Sequence, residues 1–199
     1  MPDVASPDSP WRAALGDEFG GLHPRLSAYF SAIPAGHVGR GTGTFDRVGT
    51  PRRWLWPALR VLQRHRILFP VWEHDVPFTV ENRPDGGALR AVRTFQLAEG
   101  DRRMVDVVSI EGGQLVDRLG EGGLLRTGLR ASVLDGALRL VSGSARWGWM
   151  PIPFAPRVRL VERFDDAVGR QHVALTLESR LLGRVYEYSG HFDYRIESA

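Results

Sequence analysis

RVYEYSGHFDYRI, residues 184–196, is the stretch that decides the fold. Tyr186, Tyr188, Phe192, Tyr194 and Ile196 share one parity, while Glu187, Ser189, His191, Asp193 and Arg195 share the other. Successive side chains of a strand point to opposite faces, so this pattern predicts a half-buried strand with an aromatic inner face.

Working back from it, segments near 171–181, 157–165, 137–147, 124–134, 113–119, 103–110, 88–97 and 71–82 read the same way. They are separated by LLG, DDAVG, a Pro-rich loop, LDG, GEGG, EGG, AEGD and PDGG. HVGRGTGTF, residues 37–45, adds a further strand with Gly39, Gly41 and Gly43 on one face, where a helix or ligand can approach the backbone closely. Many short strands joined by Gly/Asp turns predict an α+β, mainly β protein: a curved antiparallel sheet or barrel of about nine to ten strands.

Helical spacing is confined to two regions. In residues 10–33, Ser9 can cap a helix with Pro10 in its first turn, and Gly20, Gly21 and Pro24 interrupt, giving two short helices with a break near His23. PALRVLQRHR, residues 57–66, predicts a lid helix, with Trp54 and Trp56 just before it. A chain of 199 residues favours one β-rich domain over 10–199, behind a disordered tail at 1–9.

Composition removes whole mechanisms. Cysteine is absent, which excludes disulfides, thiol nucleophiles and thiolate metal sites. Lysine is absent too, all 26 basic residues being arginine, so no Schiff base or P-loop lysine exists. GRGTGTF is therefore no phosphate loop, and no GxSxG, HxH or HExxH spacing occurs. No cofactor and no metal is implied. A net charge of +3, with 26 basic against 23 acidic residues spread along the chain, gives no reason to expect nucleic-acid binding. The N-terminus has neither the basic nor the apolar region of a signal peptide, so the expected location is cytoplasmic.

The informative residues are those that break the sorting of faces. Glu162 shares parity with Val158, Leu160 and Phe164; Arg93 with Leu89, Ala91, Phe95 and Leu97; Arg146 with Leu138 and Leu140; His74 with Trp72, Val76 and Phe78. Asp106 goes with Met104, Val108 and Ile110, on a strand whose Val105 and Val107 blur the assignment. A lone buried charge is too costly to persist, so each should pair, shift its pKa or line a wet cavity.

Two readings follow. In one, Glu162 forms a buried structural pair with Arg146 or Arg93, or a bulge exposes it. In the other, Tyr186, Tyr188, Tyr194, His74, Glu162 and an arginine line an apolar pocket for a small molecule, with Glu162 and His74 as acid–base groups and Arg93 or Arg146 holding an anionic or carbonyl group. The WGWMPIPFAP stretch, residues 147–156, would bring Trp147 and Trp149 to the barrel mouth. The segment 52–70 mixes tryptophan, leucine and arginine, and reads more readily as a core-packing lid than as a membrane-surface helix.

The order of HVGRGTGTFDR, DVPFTVENRPDGG, RTFQL, the long segment from GQLVDRLGEGG to WMPIPFAPRV, and LLGRVYEYSGHF resembles the bacterial family called domain of unknown function 4166. The resemblance spans roughly residues 12–196, and Val92 departs from it where an aromatic is expected. The lysine-free, Ala/Gly/Arg-rich usage also looks bacterial and GC-rich. Members of that family occur alone or fused behind oxidoreductase-like domains, which implies an accessory or substrate-handling role beside an oxidoreductase chain. The expectation is a binder of a small, largely apolar molecule, either a cofactor-independent cyclase or isomerase of specialised metabolism, or a non-catalytic accessory or carrier module.

Overall fold

The computed structural model describes residues 9–199, so the expected tail lies outside the described residues except for Ser9. Ser9 is ordered: its hydroxyl accepts from the Trp11 and Arg12 backbone N–H groups and donates to the Phe30 carbonyl. It thereby caps α1 (Pro10–Leu15) and ties it to the end of α2 (Pro24–Phe30). A 3-10 turn, Gly16–Gly21, joins the two, and His23 caps α2 at the break read from the sequence.

Eleven strands follow: β1 (His37–Gly49), β2 (Trp72–Asp85), β3 (Ala88–Phe95), β4 (Arg102–Glu111), β5 (Gln114–Leu119), β6 (Leu125–Leu134), β7 (Ala137–Trp147), β8 (Met150–Pro151), β9 (Arg157–Asp165), β10 (Arg170–Ser179) and β11 (Gly183–Ser198). Their order is β6-β5-β4-β3-β2-β1-β11-β10-β9-β7, and β7 pairs back onto β6. Ten strands thus close a barrel, which removes the unpaired edges of an open sheet, and β8 is a short addition on β7. The helix α3 (Trp56–Arg64), preceded by a 3-10 turn, lies in the long β1–β2 connection.

Both ends of the barrel are plugged. At one, Trp11, Leu15, Phe19, Leu22, Leu26 and Phe30 of the N-terminal helices pack on Val108, Leu115, Leu138 and Leu140. At the other, Leu59 of α3 with Phe69 and Val71 packs on Phe95, Met104 and Tyr186. The aromatic face of β11 is interior as expected, with Tyr186 and Phe192 almost wholly buried. Ile196 is a correction, being exposed near the end of β11, and the strand expected over 171–181 stops at Ser179, which leaves Leu181 exposed.

The glycine face of β1 makes room for side chains rather than for a ligand. A Cβ on Gly39 would lie 1.5 Å from the Tyr194 hydroxyl, and one on Gly43 would lie 2.6 Å from the Phe192 Cβ.

Two irregularities overturn face assignments. Between β6 and β7 the register shifts, Thr127 facing Ala145 while Leu129 faces Ser142, so parity changes along β7. Leu138, Leu140 and Ser142 are buried, but Arg146 beyond the bulge is exposed. The β1–β11 register also shifts between Phe45 and Arg47, and β2 stays in step with β1 by placing Asp75 at φ 52°. Val76 is buried, yet His74 on the far side of Asp75 is exposed. Neither Arg146 nor His74 is an interior charge.

Candidate functional site

The remaining interior charges form a polar belt between the two apolar plugs. Along β4, Met104 belongs to one cluster and Val108 to the other, and Asp106 lies between them. Along β3 the same holds for Arg93, between Leu89 and Phe95. Arg93 and Asp106 are diagonal neighbours across the β3–β4 ladder, Ala91 facing Asp106 and Arg93 facing Met104, and the guanidinium donates to the carboxylate. Such diagonals are within reach of a long side chain.

Glu162 follows the same geometry with a different partner. On the β9–β10 ladder Glu162 faces Val173 and Phe164 faces Gln171, so Glu162 and Gln171 are diagonal. The Gln171 side-chain amide donates to Glu162 Oε1 at 2.6 Å, and both residues are buried. No arginine among the described residues forks onto this carboxylate. It lines, with Arg93, Tyr188, Tyr29 and apolar side chains including Phe45, Phe78 and Leu160, an interior cavity of about 30 Å³. That space is enough for one or two waters, well below the several hundred Å³ of a ligand pocket.

Electrostatics follow from burial. Loss of water raises the Glu162 pKa to about 7, against the opposing effects of the Gln171 hydrogen bond and the Arg93 charge. Burial works against the Arg93 charge as well, but Asp106, Tyr188 and Tyr29 outweigh it and hold the guanidinium above its usual range. Burial pushes the Tyr188 hydroxyl to about 12 despite Arg93, and raises the Tyr29 hydroxyl as well. Asp117 on β5 is raised by burial and then by Asp106, and its Oδ1 is buried without a hydrogen-bond partner among the described residues. One near-neutral acid, one fixed cation and two protonated tyrosines therefore meet around a small cavity. That set can hold an anionic or carbonyl oxygen at Arg93 and exchange a proton at Glu162.

The sequence-predicted residues divide as follows. Glu162, Arg93 and Tyr188 come together. Tyr194 stands at the margin: its hydroxyl accepts from Asn82 Nδ2 at 3.2 Å, its ring meets Tyr29, and burial pushes its pKa to about 12. Tyr186 is not in this cavity: it is buried in the core edge-on to Phe69, and borders a separate open cleft of about 310 Å³ beside Thr50, Arg52, Arg184 and Glu187. Trp147 packs edge-on against His65, and Trp149 is 85% exposed, so neither touches the cavity. Sequence reasoning missed Tyr29, Gln171, Asn82 and Asp117. The parity of Asp117 with Leu115 and Leu119 was a usable signal; Tyr29, on a helix, gave none.

A family model described as "Domain of unknown function (DUF4166)" matches residues 22–192. The chain belongs to this family. The DUF4166 match runs from just before α2 to Phe192 and so includes Tyr29, Arg93, Asp106, Glu162, Gln171 and Tyr188. The chain is also 25% identical over 189 residues to "Uncharacterized protein YndH" of Bacillus subtilis (strain 168), a match covering 86% of this chain and 90% of that one. No solved structure matches. No helix among the described residues is long and apolar enough to cross a membrane.

Proposed function

We propose that the barrel binds a small, largely apolar molecule carrying one carbonyl or anionic group, and that Glu162 acts on it as an acid–base group in a cofactor-independent cyclisation or isomerisation. One observation carries this reading: the Glu162 carboxyl, with a pKa near 7, faces a cavity beside Arg93 and Tyr188 instead of being neutralised by an arginine. A group tuned to neutral pH beside a fixed cation suits proton transfer. The small cavity defines how a ligand would fit. Tyr29 is the wall supplied by the seven-residue helix α2, so displacement of that helix is the simplest way to make room.

Anilinonaphthalene sulfonate, an apolar body with one anionic group, is a suitable probe. Tyr29→Ala should increase its bound fluorescence severalfold, and adding Arg93→Met should reverse the gain. Equal fluorescence in wild type, single and double variants, with all three folded, would remove the interior from consideration. Acid–base action is then tested on any molecule that co-purifies with the wild type, where Glu162→Gln should retain binding and lose turnover. The accessory-module reading is favoured by the filled interior alone, and predicts an interior indifferent to all three substitutions.

A further inference from the structure

The strands alternate in direction all round the barrel, so the connections 50–71, 96–101, 120–124, 148–156 and 180–182 emerge at one end. They touch one another there: the Gly148 N–H donates to the Leu124 carbonyl at 2.7 Å, the Glu121 N–H to the His65 carbonyl at 3.1 Å, and Arg52 to the Leu182 carbonyl. Eight of the twelve exposed large hydrophobic side chains among the described residues lie in these connections. The most prominent are Trp54 at 60% exposure, Trp149 at 85%, Phe154 at 81% and Leu181 at 82%, on three separate connections. Phe154 is moreover held at φ 56°, a left-handed conformation unusual for a bulky residue, with its ring directed into solvent rather than packed.

Charge at this end is basic on balance: the five connections carry six arginines against three acidic residues, Glu99, Asp101 and Glu121, and Glu121 is paired with Arg66. The connection 50–71 contains five arginines and no acidic residue. Arg53, Arg60 and Arg64 in it are exposed, as is Arg180 nearby, and none of the four is within ion-pairing distance of a carboxylate among the described residues. At the opposite end the short connections 86–87, 112–113, 135–136 and 166–169 contain no arginine and include Asp135 and Asp166, and the N-terminal helical region there balances Arg12 and Arg25 with Asp17 and Glu18.

We infer that the α3 end of the barrel docks on an anionic phospholipid surface, with Trp54, Trp149, Phe154 and Leu181 entering the headgroup boundary and Arg53, Arg60, Arg64 and Arg180 meeting the phosphates. Aromatic and leucine side chains on one side of a basic rim are the composition that interfacial binding requires. The segment 52–70 alone is too short for this, but three connections acting together supply apolar area and charge at one end. Separate projecting tips, with arginines in two of the same connections, fit a soft, negatively charged boundary better than a continuous protein surface. The inference does not depend on the barrel interior.

The test is sedimentation of the full chain with vesicles of phosphatidylcholine alone and of phosphatidylcholine doped with phosphatidylglycerol. Wild type should pellet with the doped vesicles at low salt and be released as salt rises. Trp149→Ser/Phe154→Ser and Arg60→Glu/Arg64→Glu should each lower the partition coefficient about tenfold or more. All four positions are exposed, so circular dichroism and thermal midpoint should stay as in wild type. Failure of the wild type to pellet with doped vesicles, equal pelleting on both vesicle types, or unchanged partition in both variants would each overturn the inference. Equal loss in an Asp135→Asn/Asp166→Asn control at the opposite end would do so as well.

Discussion

The buried carboxylate of Glu162 takes its hydrogen bond from the Gln171 side-chain amide, 2.6 Å away, while the interior guanidinium of Arg93 is committed to Asp106. Two diagonal pairs on two ladders therefore divide the belt into a neutralised half and a titratable half. The titratable half is where chemistry and pH sensitivity are expected.

That division predicts a pH dependence of stability. Burial raises the folded-state Glu162 pKa from an ordinary 4.5 to about 7. Below the unfolded value both states are protonated and nothing is lost. Between the two values the unfolded chain has released its proton and the folded one has not, so stability falls as pH rises and levels off above pH 7. With about 1.4 kcal/mol per pKa unit, the loss amounts to roughly 3 kcal/mol at most. Chemical denaturation of wild type and Glu162→Gln across this range should give difference curves that decline by that order, the variant being the more stable at pH 8. Parallel curves would mean that Glu162 titrates as in water.

The Arg93–Asp106 pair, besides presenting Arg93 to the cavity, is predicted to contribute stability. Its side chains are 24% and 7% exposed, and removing one partner strands the other in a poorly solvated interior. Arg93→Met and Asp106→Asn should each cost about 3 kcal/mol. The double variant should cost clearly less than the sum, because no orphaned charge remains. Additive costs in a urea-denaturation cycle would show that the pair is not coupled.

His74 supplies a contrast, since parity alone made it a catalytic candidate. Exposed beyond the left-handed Asp75, it should tolerate alanine with a stability change within about 0.5 kcal/mol. A loss of about 2 kcal/mol or more in urea denaturation of His74→Ala would return His74 to the interior.

These outcomes reflect what kind of information a strand carries in its sequence. The period-two pattern of β3, β9 and β11 extends over whole strands, so Arg93, Glu162 and Tyr188 are legible as interior residues from sequence alone, and the barrel is legible from the number of such strands. Bulges have no such pattern. One extra residue near Ser142 and one near Asp46 invert everything beyond them, which is why Arg146 and His74 were misassigned while their neighbours Leu140 and Val76 were not. Gln171 escaped notice because an amide at a strand start carries no penalty that singles it out, and Tyr29 because helix α2 contributes to the cavity across a sequence separation that no periodicity spans. The polar belt as a unit depends on closure, since its members come from β3, β4, β5, β9, β10, β11 and α2.

Closure also explains the glycine face of β1, and the last prediction concerns it. Tyr194 on β11 reaches over Gly39 on β1 to accept from Asn82 on β2, crossing a strand to do so. A methyl group on Gly39 would sit 1.5 Å from the tyrosine oxygen and 2.3 Å from the ring carbon bearing it, so the whole side chain would have to leave. Asn82 is 2% exposed and would lose its bond without gaining water. Overpacking and an unsatisfied buried amide together should destabilise Gly39→Ala by about 2–4 kcal/mol. Tyr194→Phe removes only the hydroxyl and should cost nearer 1 kcal/mol. Adding Tyr194→Ala to Gly39→Ala should cost less than the two single changes summed, because the alanine methyl then occupies vacated space. If Gly39→Ala unfolds at the same urea concentration as wild type, Tyr194 does not cross β1 in the native protein.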